Sequence, residues 1–217
     1  MNTELARRNM IEQQIRPWEV LDQDVLSLLA VVKREDFVPP AYRALAFVDT
    51  EVPLPGGQCM LAPKVEARLL QDVAVQPHER VLEIGAGSGH MAALLARRGE
   101  HVTTLEILPQ LAELAAANLR RAGVNNVRVV DADGARGLPE AAPFHAIVLS
   151  GSVAAVPQAL LDQLAVGGRL IAIVGSEPVM RATLHTRVGA REFRSTELFD
   201  TVAQRLVGFD EPPRFKF

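Results

Sequence analysis

The 217-residue sequence holds one cysteine, one tryptophan and one tyrosine. A single thiol, Cys59, permits no intramolecular disulfide and no cysteine-based zinc site. It suits a reducing compartment, and a cytoplasmic location is the expectation. No charge-free apolar run is long enough for a transmembrane helix, and Met1-Asn2-Thr3-Glu4-Leu5 does not read as an apolar signal segment. Neither sign of charge dominates: 23 Lys and Arg stand against 26 Asp and Glu, a formal net charge of −3. That balance lacks the electrostatic pull of a nucleic-acid or acidic-membrane binder, so neither partner is expected. His78, His101, His145 and His185 show no metal-ligand spacing with acidic neighbours, and no metal is expected.

What is present is an ordinary globular composition, 48% hydrophobic, on a chain long enough to bury one real core. Met10, Ile11 and Ile15 lie near one face of a first helix; Asp22 is placed to cap a second carrying Val25, Leu28, Leu29 and Val32. A proline-rich stretch from Phe37 to Pro63 reads as loop and short strand, and Pro63 suits the first turn of a third helix. From Arg80 the pattern alternates. Strands are expected at Val81–Ile84, Val102–Glu106, Val127–Val130, Ala146–Leu149 and Arg169–Val174, with helices at Met91–Arg98, Pro109–Arg121 and Pro157–Leu164. Such βα units predict an α/β fold with a mostly parallel sheet and helices on both faces. Beyond residue 180, a last helix (Thr183–Thr186) and a closing antiparallel pair (Arg191–Phe199, Ala203–Phe209) are expected. The whole reads as a single domain. Residues 1–76 form N-terminal helices and a loop, 77–175 the core, and 176–217 a C-terminal helix and closing strands.

The sharpest local signal is Val81-Leu82-Glu83-Ile84-Gly85-Ala86-Gly87-Ser88-Gly89-His90. A β-type run feeds a glycine turn that opens a helix, the architecture of a nucleotide-type cofactor cradle. A dinucleotide fingerprint would place its third glycine at position 90, which is His. The Gly-x-Gly-x-Gly spacing, with Glu83 before it, instead resembles motif I of the class I S-adenosylmethionine methyltransferases. The cofactor-binding candidates are therefore Glu83, Gly85, Ala86, Gly87, Ser88, Gly89, Glu106, Asp133 and Gly134. Glu106, about 20 residues past the first glycine, suits a carboxylate accepting from ribose hydroxyls. Asp133 is placed to accept from an adenine amino group, with Asp131 competing for that role.

Along most of its length the chain resembles the protein-L-isoaspartate O-methyltransferase family. The matching stretches are Met10–Ile15, Arg34-Glu35-Asp36-Phe37-Val38-Pro39, Ala46–Asp49, Pro53-Leu54-Pro55-Gly56-Gly57-Gln58 and motif I. Pro143–Ile147 and Gly167–Leu170 match less closely. The resemblance implies a seven-stranded Rossmann-like methyltransferase fold with an N-terminal helical extension. It also implies S-adenosyl-L-methionine as cofactor and an isoaspartyl protein or peptide as acceptor, with methylation serving protein repair. Acceptor-side candidates are Gln58, Cys59 and Leu61.

The departures fall on the acceptor side. The family's Thr-Ile-Ser-x-Pro reads Cys59-Met60-Leu61-Ala62-Pro63, so its acceptor-site serine is Leu61. Its motif I tyrosine is His90, its Gly-Asp-Gly is Ala132-Asp133-Gly134, and its Thr-Ala-Ala run is Ser150-Gly151-Ser152. Pro213–Phe217 is a partial echo of its C-terminal motif. Leucine offers no hydrogen-bond donor to an acceptor carboxylate, a loss of roughly 1.5–3 kcal/mol. Two alternatives therefore stand beside isoaspartyl methylation: a different, unidentified small acceptor at the same cofactor site, or a cofactor-binding homologue that catalyses nothing.

Overall fold

The computed structural model describes residues 2–211. Helix α1 (Thr3–Met10) runs on through a wider turn, Ile11–Ile15, and buries Met10, Ile11 and Ile15 along one face. Helix α2 (Gln23–Val31) starts where the Asp22 side chain accepts from the amides of Asp24 (2.8 Å) and Val25 (3.2 Å). Strands β1 (Val52–Pro53) and β2 (Cys59–Met60) pair as a small antiparallel hairpin. Prolines open α3 (Pro63–Val73) and α5 (Pro109–Arg121), where a missing amide hydrogen costs nothing.

One seven-stranded sheet carries the rest. It is built from β3 (Arg80–Ile84), β4 (His101–Glu106), β5 (Val127–Asp131), β6 (Phe144–Val153), β7 (Leu164–Ser176), β8 (Val179–Arg187) and β9 (Phe193–Thr201), in the order β5-β4-β3-β6-β7-β8-β9. The first five in that order are parallel; β8 runs antiparallel to β7, and β9 antiparallel to β8. Val81–Ile84 of β3 is buried on both faces, as expected for a central parallel strand. One face, with Val81, Val102, Val148 and Ile171, packs on α1–α3, α5 and α4 (His90–Ala96). The other, with Leu82, Leu105, Ile147 and Leu170, packs on α6 (Gln158–Leu161), Phe144 and Phe209. Each such fully buried side chain is worth roughly 1.5–3 kcal/mol.

The C-terminal helix expected at Thr183–Thr186 is not formed; those residues lie inside β8. The reason is tertiary pairing. Strand β7 overshoots its parallel neighbours and folds back at 176–179, so that Arg169↔Thr186 through Ser176↔Val179 form one continuous antiparallel ladder. The β-branched Thr183 and Thr186 suit that pleat. The closing pair is β8 with β9 rather than β9 with Ala203–Phe209, which makes a single bridge from Arg205 to Ser152. The helix expected to end at Leu164 is cut to Gln158–Leu161 because β7 begins at Leu164. The Pro213–Phe217 echo lies outside the described residues. Among the described residues no helix is long and apolar enough to cross a membrane.

Candidate functional site

Strand β3 is the switch point of the sheet: crossovers lead from it to β4 on one side, while β6 flanks it on the other. Ligands of such sheets bind beyond the carboxyl ends of the strands at this place. The glycine turn sits there. The amides of Gly85 and Ala86 both donate to the Leu105 carbonyl (2.9 and 3.2 Å), folding the turn across the end of β4. Gly89 caps α4 at φ +83, and a Cβ on it would lie 3.2 Å from the Ala115 backbone, so both the backbone angle and the close packing of α4 on α5 favour glycine. Glu106, at the end of β4, accepts from the Gly87 amide (2.9 Å) and the Leu108 amide (3.1 Å). A carboxylate has about four acceptor positions, so two remain for a ligand.

Two adjoining cavities meet at the turn, sharing Cys59, Gly85, Gly87 and Ser150 as common walls. The outer cavity is bordered further by Gln58, Glu106, Gly134 and Leu206. The inner one is bordered by Leu61, Glu66, Glu83, Ala86, Ser88 and His90. Ten of the twelve sequence candidates border these cavities, and Gly89 lies instead in the packing of α4 on α5. Asp133 is the other exception. Its Oδ1 accepts from the Ala135 amide (2.9 Å) and sits against Gly208, so in this state it caps a short turn, and it borders neither cavity.

Glu83 is fully buried, accepts from the Ser150 hydroxyl through Oε1 (2.7 Å), and leaves Oε2 without a partner. Burial outweighs the Ser150 hydrogen bond and pushes its carboxyl up to about 8. Burial, with Glu51 beside it, pushes the Cys59 thiol up to about 12, so Cys59 stays a thiol and is no nucleophile at neutral pH.

A group that sequence reading did not assemble lies behind Leu61. Arg34 and Glu66 are 2% and 5% exposed. Arg34 Nη1 donates to Glu66 Oε2 (2.5 Å), and Arg34 Nη2 donates to the Leu61 carbonyl (2.7 Å). The same Glu66 oxygen lies 2.8 Å from His90 Nδ1. Burial opposes the charge on Glu66, but His90 and Arg34 prevail and hold its carboxyl below the usual range. A sequence signal existed: Glu66 shares the helical face of Leu69, Leu70 and Val73, where a carboxylate needs a buried partner. A second missed part is Ala203–Phe209, which crosses the strand ends. Its Leu206 rests over Gly85, where a Cβ would come within 2.7 Å of Leu206 Cδ2.

Comparison with known proteins agrees with this geometry. The family profile described as Protein-L-isoaspartate(D-aspartate) O-methyltransferase (PCMT) matches residues 5–200. A protein-L-isoaspartate O-methyltransferase of Gloeobacter violaceus is 44% identical over 179 residues, 82% of this chain and 87% of that one. Another, from Rhodopseudomonas palustris, is 40% identical over 93% of this chain and 83% of its own. A PCMT structure from Plasmodium falciparum, in complex with S-adenosyl-L-homocysteine, superposes with a TM-score of 0.80 at 21% identity, over 92% of this chain and 97% of that one. The chain belongs to the protein-L-isoaspartate(D-aspartate) O-methyltransferase family and is an S-adenosylmethionine-dependent methyltransferase.

Proposed function

We propose that the chain methylates the free α-carboxylate of isoaspartyl residues in damaged proteins or peptides, acting as one domain in the cytoplasm. The observation that carries this reading is the seating of the β1–β2 hairpin on the glycine turn. Leu54 packs on Gly87, and Cys59 walls both cavities, so the acceptor side and the cofactor side share a boundary. Pro53–Gln58 also carries a more specific resemblance to the family than motif I does.

The residues present fit the cofactor. Glu106 has acceptor capacity left for ribose hydroxyls, with Gly134 beside it on the outer wall. Gly85, Ala86, Gly87 and Ser88 present backbone without bulk, and the orphaned Oε2 of Glu83 suits an ammonium group. When bound, the cofactor supplies an electrophilic methyl carbon on a sulfonium. An ionised carboxylate needs no general base, so the protein contributes position, orientation and exclusion of water. The resulting ester is activated toward succinimide closure by the following amide nitrogen, with loss of methanol, which opens a route back to aspartate.

Leu61 favours a second reading, a different acceptor, because it removes the family's donor. Labelled methyl transfer to an isoaspartyl peptide, against the aspartyl isomer, decides between them. Label in the isoaspartyl peptide alone is expected. A protein that binds the cofactor by calorimetry yet labels neither peptide excludes the isoaspartyl reading, and a labelled product in cell extract would then support the other acceptor.

A further inference from the structure

The acceptor wall has lost one polar group and gained another. Leu61, in the family's serine position, borders the inner cavity, and so does His90. The ring is 2% exposed and braced by the edge of Phe37 at 5.2 Å between ring centres. Its Nδ1 faces Glu66 Oε2, while its Nε2 is buried without any partner. A buried polar atom left unpaired is costly, and one that borders a cavity is open to completion by a ligand. Arg34 joins the two changes, since one guanidinium binds both Glu66 and the carbonyl of Leu61. The other charged groups around the ring are Glu83 from β3 and, beyond Arg34, Asp49, which pairs with Lys64.

We propose that His90 Nε2 replaces the family's serine as the donor that binds and orients the acceptor carboxylate, with Glu66 and Arg34 as positioning residues. This rests on the isoaspartyl reading above. An ionised carboxylate offers only lone pairs, and Glu66 takes the hydrogen of Nδ1, so the ring carries hydrogen on both nitrogens in the acceptor complex. Glu66 Oε2 then serves both cations, whose nitrogens Arg34 Nη1 and His90 Nδ1 lie 3.5 Å apart, and the acceptor charge completes the set.

The test is NMR of protein labelled at the histidine ring carbons and saturated with S-adenosylhomocysteine, the His90 signal being the one absent from His90→Gln. Isoaspartyl peptide is expected to move that signal toward the doubly protonated position; the aspartyl isomer leaves it in place. His90→Ala is expected to raise KM for the isoaspartyl peptide about ten- to a hundredfold. Adding Leu61→Ser to His90→Ala recovers much of that loss, which a purely structural role for the ring would not allow. Glu66→Gln moves the high-pH limb of kcat/KM to lower pH. Reading the His90 signal directly keeps this separate from Glu83. A His90 signal unmoved by a peptide that the enzyme methylates overturns the assignment, as does a His90→Ala KM within about twofold of the parent. Absence of isoaspartyl methylation in the unaltered protein is a different result, which removes the parent reading.

Discussion

Glu83, in the cofactor-binding role proposed for it, sets function against stability within a single side chain. Its carboxyl is held at about 8, against an ordinary value of 4.5, by burial. The fold therefore keeps a proton that the unfolded chain has already released. The sign follows: through this group, stability falls as pH rises from about 4.5 to about 8. Glu83→Gln keeps the Ser150 contact, removes the titration and is expected to raise the Tm of the cofactor-free protein at pH 8.5 by several degrees, at roughly 2–4 °C per kcal/mol for a chain of this size. The same variant should bind the cofactor at least about tenfold more weakly. It should also lose the proton release that accompanies binding between pH 6 and 8, read by calorimetry in buffers of different ionisation heat. The sequence singles out Glu83 by its place directly before the glycine turn, but not its burial, which follows from the strands on either side of β3. Glu66 was legible only as an acid on the apolar face of α3; its partners were not, since they lie 32 residues upstream, at Arg34, and 24 downstream, at His90. Asp133 shows the converse: the residue was legible, but its carboxylate is engaged with its own turn.

At the scale of the element, the α4 cap illustrates why glycine spacing was informative. Gly89→Ala forces φ +83 on a residue with a Cβ and drives that atom to 3.2 Å from the α5 backbone. Unfolding measurements are expected to show a loss of at least about 1–3 kcal/mol. A loss below that range would mean that α4 and α5 separate freely. The core strands and helices were readable because their apolar positions recur with periods of two or 3.6 and are closed by proline, glycine or an aspartate cap. Residues 179–187 were not. A short run such as Thr183-Leu184-His185-Thr186 fits either period, and only the overshoot of β7 supplies the ladder that makes it a strand. The same long-range cause explains why Ala203–Phe209, strand-like in composition, finds β6 for one bridge only.

At the scale of the molecule, that last segment ties three regions together. The Ser152 amide donates to the Gln204 carbonyl (2.8 Å), and the Leu206 amide donates to the Ser152 carbonyl (2.9 Å). Gln204 Nε2 reaches the Gly57 carbonyl of the hairpin at 2.5 Å, and Gly208 lies against Asp133. Leu206 meanwhile covers Gly85 of the glycine turn. The Gln204–Gly57 contact is exposed and single, the sort of interaction that opens at small cost. Gln204→Ala is expected to speed cofactor release several-fold in stopped-flow measurements while leaving Tm nearly unchanged; an unaltered release rate would show that the crossing segment does not gate the cavity.

The crossing has a kinetic consequence. With Gln204 bonded to Gly57 and Leu206 over Gly85, loading of the outer cavity is expected to part the hairpin from the C-terminal segment, and a polypeptide along the hairpin is expected to hold them together. The expected order of turnover is methyl donor in first, peptide second, and demethylated donor out last. Product inhibition would record it, with S-adenosylhomocysteine competing against the donor and not against the peptide.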